Sequence, residues 1–348
     1  MMAKNNTSHF LPRSELRYDP VSGEWILISP ARFHPEVLKK RAKKRVVPPA
    51  SKDIFRDPLK SVSEHVILEY TGSARAAEIS PGNKNWRILI LENKYPAVAG
   101  RVSPVRGKHG FFPVMPGVGE HDLLITRGYA ENFPRLSSEE AFRVFEAFRD
   151  RYLMFLSDPK IKYVSIFHNW GPQAGASVFH PHYQILAIPI VPPEVSHSIE
   201  GSRKYFRTHK KCAYCATIDW EKKQKVRVIA ESKHAIAFAP FVSRNSFEVK
   251  IFPKAHRPFF ENTQDAELED IAGLLQRVLR KVEGKLYDPD YNFYIHTAPV
   301  DGKERNKFYH WHIEVIPRWS VPAGFEYATG IFINVVDPDV AAKILRSK

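Results

Sequence analysis

The chain states one pattern twice, and that repetition limits what it can fold into more than any other feature. Ser137-Ser138-Glu139-Glu140 reads as a capping box, with Ser137 as N-cap and Glu140 three residues on. It opens a helix with Phe142, Phe145, Phe148, Tyr152 and Phe155 along one face, a stripe that belongs to a core. Ser157-Asp158-Pro159 ends the helix, and Tyr163–His168 follows as a strand. Further on, residues Gln264 to Leu286 form another amphipathic helix, with Leu268, Ile271, Leu275, Val278 and Val282 inward. It stops at Asp288-Pro289, and the strand Tyr291–His296 follows. Each strand leads to a histidine pair and an apolar tail: His180-Pro181-His182-Tyr183-Gln184 in the first copy, His310-Trp311-His312-Ile313-Glu314 in the second. The chain therefore reads as two units, residues 1–197 and 198–348.

A length of 348 residues with 43% hydrophobic content leaves room for a substantial core. The formal net charge of +14 suits an anionic partner. Much of that charge is scattered, which favours small phosphorylated substrates over nucleic acid. The run Lys39-Lys40-Arg41-Ala42-Lys43-Lys44-Arg45 is the exception, and its composition reads as a solvated loop. Only Cys212 and Cys215 are present, which argues against a disulfide framework and for a reducing, cytoplasmic setting. Residues 1–14 read as a loose tail, Met1 to Arg13 are polar and lack the apolar stretch of a signal peptide, and no apolar run reaches membrane-spanning length.

Before the first helix, Glu15–Tyr18 and Trp25–Ile28 flank a Ser22-Gly23 turn and read as a hairpin, closed by Ser29-Pro30-Ala31-Arg32. Arg87–Leu91, Glu92–Pro96 and Gly119–Thr126 read as successive strands. The second-copy strand Phe247–Phe252 matches His121–Thr126, and that match sets His256 against Ala130.

Chemistry concentrates in Asn169-Trp170-Gly171-Pro172-Gln173-Ala174-Gly175-Ala176-Ser177 and the histidines that follow. If a strand starts at His180, then His180, His182 and Gln184 share a face. A single strand histidine is usually a hydrogen-bonded structural residue. Two histidines and a glutamine on one face, after a small-residue loop, indicate instead a nucleophile beside a phosphate cradle, with backbone N–H groups of Gly175, Ala176 and Ser177 open to an anion. A neutral imidazole is a competent nucleophile, and a backbone carbonyl can hold its other nitrogen. Gln184 can donate to a non-bridging oxygen as charge develops there.

In the second copy, Cys212, Cys215, His256 and His296 form a Cys2His2 set suited to one structural zinc per chain. His310 and His312 are alternatives, since His296 could instead join that pair.

The stretch from Asn169 to Gln184 resembles the active-site motif of the galactose-1-phosphate uridylyltransferase family, a branch of the histidine-triad superfamily that also holds plant-type ADP-glucose phosphorylases. The resemblance runs from Glu15-Leu16-Arg17 to Gly324-Phe325-Glu326. It implies an α+β fold of two tandem histidine-triad-like units, antiparallel half-barrel sheets with packed helices. It also implies transfer of a nucleoside monophosphate, UMP foremost, from a nucleotide sugar to a hexose 1-phosphate through a covalent nucleotidyl-histidine. His182 takes the nucleophile's place, with His180 as its support. Asn169, Gly175, Ala176, Ser177 and Gln184 fall at phosphate-contacting positions and Arg32 and Asn93 near nucleotide-contacting ones, with His312, Phe325 and Glu326 completing the substrate-binding set. Members are often dimers, so a homodimer is one implied assembly.

Two departures stand out. Relatives build a first-copy zinc site from Cys-x-x-Cys, a histidine after the strand and the first motif histidine. Here the cysteines are absent and Ala130 replaces the histidine, so no first-copy metal is expected. The C-terminal glutamine of bacterial galactose-1-phosphate enzymes is missing from Gly324–Asn334, which brings the chain closer to the phosphorylase-like branch and leaves the acceptor open between a hexose 1-phosphate and free phosphate, the alternative being an NDP-sugar or dinucleoside-polyphosphate phosphorylase that uses inorganic phosphate.

Overall fold

The structure is a computed structural model describing residues 14–40, 45–63, 65–72, 74–75, 85–100, 102–300 and 306–347. The N-terminal tail and the middle of the basic run, residues 41–44, lie outside the described residues. Among the described residues, eleven strands form one sheet. In order across it they are Val228–Glu231, Ala235–Phe238, Val249–Pro253, His312–Pro317, Tyr291–His296, Tyr163–Trp170, His182–Ile188, Glu120–Thr126, Trp86–Glu92, Val66–Thr71 and Ala74–Arg75. Every neighbouring pair is antiparallel. The order is mirrored about the junction of Tyr291–His296 with Tyr163–Trp170, so the sheet runs unbroken through both halves of the chain.

The expected first-copy helix is present as Ser138–Phe155, with Ser137 accepting from the Glu140 amide and Glu140 returning to Ser137. Its counterpart is Asp265–Leu286. Both pack on one sheet face, where Phe145, Phe148, Tyr152, Leu275, Val278 and Val282 join Tyr183, Ile185, Phe293, Ile313 and Val315 in the main core. The aromatic stripe meets the sheet edge to face, with Phe148 and Tyr183 centroids 5.5 Å apart, and Phe133, from the turn before the helix, meets Phe293 at 5.7 Å. Buried Gln276 ties the second helix to the turn before the first, donating to the carbonyls of Phe133 and Leu136.

The hairpin Glu15–Tyr18/Trp25–Ile28 forms as expected, and Phe332–Asn334 adds to it in parallel as a third strand. Two local expectations change. After Glu92 the chain bends, because the Asn93 side chain takes the Tyr95 amide and closes a turn where a strand was expected. Arg45 is not a solvated end of a basic loop: it pairs with Asp288 and Asp290 at 3.1 and 2.9 Å and covers the Trp170 ring. The helices Pro193–His209 and Ala213–Gln224 carry the chain from one half to the other. No helix among the described residues is long and apolar enough to cross a membrane.

Phe148 is fully buried between helix and sheet. Phe148→Ala is expected to cost about 3–5 kcal/mol of unfolding free energy, read as a lower denaturant midpoint.

Candidate active site

Strand alternation places Tyr183, Ile185 and Ala187 in the core and turns His182 and Gln184 to the opposite face. The strand begins at His182, so His180 stands outside the alternation. The ring of His180 nonetheless meets the same Phe55 ring as His182 does, at 5.6 against 5.2 Å. It is pinned between Asp53, 2.9 Å from Nδ1, and the Thr126 carbonyl, 2.6 Å from Nε2.

His182 is buried, and its Nδ1–H donates to the His180 carbonyl at 2.9 Å. That bond selects the tautomer whose Nε2 carries the free lone pair. Burial lowers its pKa, against the opposing hydrogen bond to His180, so the ring stays neutral and nucleophilic. Behind it, His168 Nδ1–H donates to the His182 carbonyl at 2.7 Å, and burial takes the His168 pKa down to about 3.

Gln184 is set by a relay that starts in a loop. The Ala97 amide donates to His121 Nδ1, which puts the hydrogen on Nε2, and that nitrogen donates to Gln184 Oε1 at 2.9 Å. The Gln184 carbonyl oxygen is thereby fixed, leaving its –NH2 as a donor beside His182. Asn93 Nδ2 lies 3.3 Å from the same His121 nitrogen.

The small-residue loop is held by the second half of the chain. Asn292 donates to Asn169 Oδ1 at 2.7 Å and to the Ala174 carbonyl at 2.8 Å, and Asp290 accepts the Gln173 amide at 2.7 Å. Gly171 needs φ +85, and a Cβ there would lie 1.9 Å from Asp290 Oδ1. The expectation of an open amide cradle is corrected in part. The Gly175 and Ala176 amides donate inside the loop, to Pro172 and Gly171, because the turn itself consumes them. What remains is the exposed Ser177 and the Asn169 amide nitrogen, which faces Gly175. The loop borders a cleft of about 1040 Å3 that Ser177, Arg45, Trp170, Asp288 and Arg318 help to wall.

Arg32 and Glu326 are brought together elsewhere, beside the small three-stranded sheet. Backbone amides led by Ala323, with Arg32 nearby, hold Glu326 below its usual range. Phe325 is exposed on the same short helix.

In the second half, Cys212, Cys215, His256 and His310 bring their ligand atoms within 4.8 Å of one another. Of the expected set, His296 is not among them. His296 sits opposite His312 at the end of its strand and faces Glu314, at 3.6 Å. His310 precedes its strand, as His180 does, and turns toward Cys215 at 3.6 Å. His256 directs Nδ1 to Cys215 at 3.4 Å while its Nε2–H donates to the Lys307 carbonyl at 2.7 Å. Hydrogen bonding from Cys215, and then from the two imidazoles, pushes the Cys212 thiol down toward the thiolate. Two sulfurs and two imidazole nitrogens fit a tetrahedral soft cation.

His312 repeats the His182 tether, with Nδ1 donating to the His310 carbonyl at 3.1 Å. Its Nε2 faces Glu314 Oε1 at 3.5 Å, and Lys250 Nζ lies 2.6 Å from that same oxygen. This second histidine is thus engaged by a carboxylate that already has an ammonium partner.

Asp53, Phe55 and His121 escaped the sequence reading. Asp53 lies 127 positions from His180 and His121 63 from Gln184, and nothing in local spacing links them. Phe55 comes in with Asp53, its ring edge-on to His180 and His182 at 5.6 and 5.2 Å.

A profile for the galactose-1-phosphate uridyl transferase N-terminal domain matches residues 6–192, and one for a domain of unknown function, DUF4921, matches residues 136–347. The chain is 32% identical over 337 residues to an ADP-glucose phosphorylase of Arabidopsis thaliana, covering 95% of this chain and 92% of that one. A galactose-1-phosphate uridylyltransferase of Thermotoga maritima is 28% identical over 344 residues, with 95% and 98% covered. The solved structure of an Arabidopsis thaliana ADP-glucose phosphorylase with bound ADP-glucose superposes with a TM-score of 0.80 at 30% identity, covering 97% of this chain and 99% of that one. These matches are to nucleotidyltransferase-type enzymes. The chain belongs to the galactose-1-phosphate uridyl transferase family, in its ADP-glucose phosphorylase-like branch.

If His182 is the attacking group it must be neutral, so formation of a nucleotidyl-enzyme is expected to persist as pH falls and to fade only below 6.5, the ordinary imidazole value. Rapid-quench rates across pH check this, and an acid limb at or above 6.5 would contradict it.

Proposed function

We propose that the chain transfers a nucleoside monophosphate from a nucleotide sugar through a covalent intermediate on His182. His182 Nε2 attacks the α-phosphorus, the bond from that phosphorus to the sugar phosphate oxygen breaks, and the sugar phosphate leaves. An acceptor phosphate oxygen then attacks the same phosphorus and releases the imidazole. Gln184 Nε2 and Asn169 Nδ2 donate to the non-bridging oxygens, and Ser177 sits where the departing phosphate passes. Catalysis is positioning and charge stabilisation. The observation that carries the proposal is the Nδ1–H bond from His182 to the His180 carbonyl, which leaves Nε2 free beside a glutamine whose amide is already oriented.

The acceptor and the base have two readings. UMP transfer to a hexose 1-phosphate is the reading the active-site motif favours. Likeness to an ADP-glucose phosphorylase supports an adenylyl donor and inorganic phosphate equally well. Incubation with ADP-glucose or UDP-glucose carrying a labelled α-phosphate identifies the base by which label stays on the protein. Chasing with phosphate or galactose 1-phosphate then identifies the acceptor. His182→Gly is expected to abolish the label while nucleotide binding changes less than about tenfold, and a labelled His182→Gly protein would sink the mechanism.

The Cys212, Cys215, His256 and His310 set is proposed to hold one structural zinc, tying the loop before the helix Ala213–Gln224 to the strand Val249–Pro253 and the second histidine motif. The mirrored strand order and the repeated His-x-His tether support two duplicated histidine-triad-like units sharing one sheet. Elemental analysis is expected to give one zinc per chain, and Cys215→Ser to lose it with a lower melting temperature. Two zinc ions would contradict this assignment.

A further inference from the structure

We infer that Asp53 is a positioning residue for the transfer, acting through His180 on the orientation of His182; the inference rests on the reading of His182 as the nucleophile. The His180 side chain is 2% exposed and that of Asp53 5%. Both nitrogens of the His180 ring face oxygen acceptors, the Asp53 carboxylate at 2.9 Å and the Thr126 carbonyl at 2.6 Å. A neutral imidazole has one N–H, and two acceptors call for two. A carboxylate supplies the negative charge that keeps a hydrogen on each nitrogen, and the buried pair is then charge-balanced and fully hydrogen-bonded.

Asp53 is itself held. Its Oδ1 accepts the Phe55 amide at 3.0 Å, capping the short turn Ile54–Arg56, so its two carboxylate oxygens have separate partners. The same turn brings the Phe55 ring against His180 and His182, and Tyr129 meets His180 from another side at 5.9 Å. Asp53, Thr126, Phe55 and Tyr129 thus all bear on the His180 ring.

The consequence passes through the main chain. His180 precedes Pro181, which narrows its backbone freedom. With the ring pinned as well, the direction of the His180 carbonyl is set, and that carbonyl holds His182 Nδ1. The direction of the attacking Nε2 lone pair is thus referred back to a carboxylate 127 positions away. In the second half the corresponding His310 is braced by Cys212, Cys215 and His256, so the same task falls there to a set of metal-ligand type.

Asp53→Asn keeps the shape and removes the charge. The rate of nucleotidyl-enzyme formation is expected to fall about tenfold to a hundredfold, the usual effect of losing a partner that orients a functional histidine. KM for the nucleotide sugar should stay within about twofold, and Asp53→Glu should recover part of the rate. A wild-type rate in Asp53→Asn overturns the inference, as does a rise in KM with kcat unchanged. A second measurement does not depend on activity. In protein labelled with 15N-histidine, the His182 ring should show a single Nδ1–H tautomer in the wild type and a mixture in Asp53→Asn. An unchanged tautomer in the variant overturns the inference even in a chain that forms no nucleotidyl-histidine, an outcome that would instead refute the proposed function.

Discussion

Everything in this molecule depends on the antiparallel junction between Tyr163–Trp170 and Tyr291–His296. Asn292 lies opposite Asn169 and Phe293 opposite His168, so the register is set by the same strand that leads into the small-residue loop. Because side chains alternate, a slip of one residue would turn the core faces outward in both halves. The junction joins the two helix-backed halves into one sheet, with the main core on one face and the two His-x-His motifs on the other, beside smaller apolar clusters around Phe252 and Phe55. It also brings Asn292 and Asp290 to the loop, so the site of the first half is completed from the second.

On that second face the two His-x-His motifs are built alike and end differently. In each, the second histidine opens a strand and donates Nδ1–H to the carbonyl of the first, which sits outside the strand and is braced by a distant segment. The bracing differs in kind, a carboxylate in one half and two cysteines with a histidine in the other. So does the residue two positions on. A glutamine can donate to a phosphate oxygen without adding charge, whereas Glu314 would repel it. Burial pushes the Glu314 carboxyl up, but Lys250 and His296 outweigh that and keep it ionised. The same backbone geometry therefore sets a neutral histidine beside a glutamine in the first half and beside an ion-pair network in the second.

Local patterns carried the sequence reading where the physics is local. The Ser137 capping box, the aromatic stripe from Phe142 to Phe155 and the hairpin at Ser22-Gly23 need only near neighbours, and each is in place. His182 and Gln184 were legible because two residues apart on a strand means one face. His180 precedes the strand, so alternation alone does not place it, although its ring meets Phe55 as that of His182 does. Cys212 and Cys215 announced a ligand pair, but choosing His310 over His296 required knowing that His296 faces Glu314 across a ladder. The open cradle failed on accounting, since a turn tight enough to place small residues also uses the Gly175 and Ala176 amides.

What could not be read is the second set of partners, and the reason is general. Asp53 and His121 act on functional residues by hydrogen bonds that close only after folding, across sequence separations of 127 and 63. A lone aspartate before Ile-Phe-Arg has no periodicity and no motif, and its first local role is to cap a single turn. Its significance comes from the ring it meets. Since a buried imidazole with two acceptors cannot be satisfied while neutral, the acid that lets His180 donate twice is as much a part of the nucleophile's support as His180 itself.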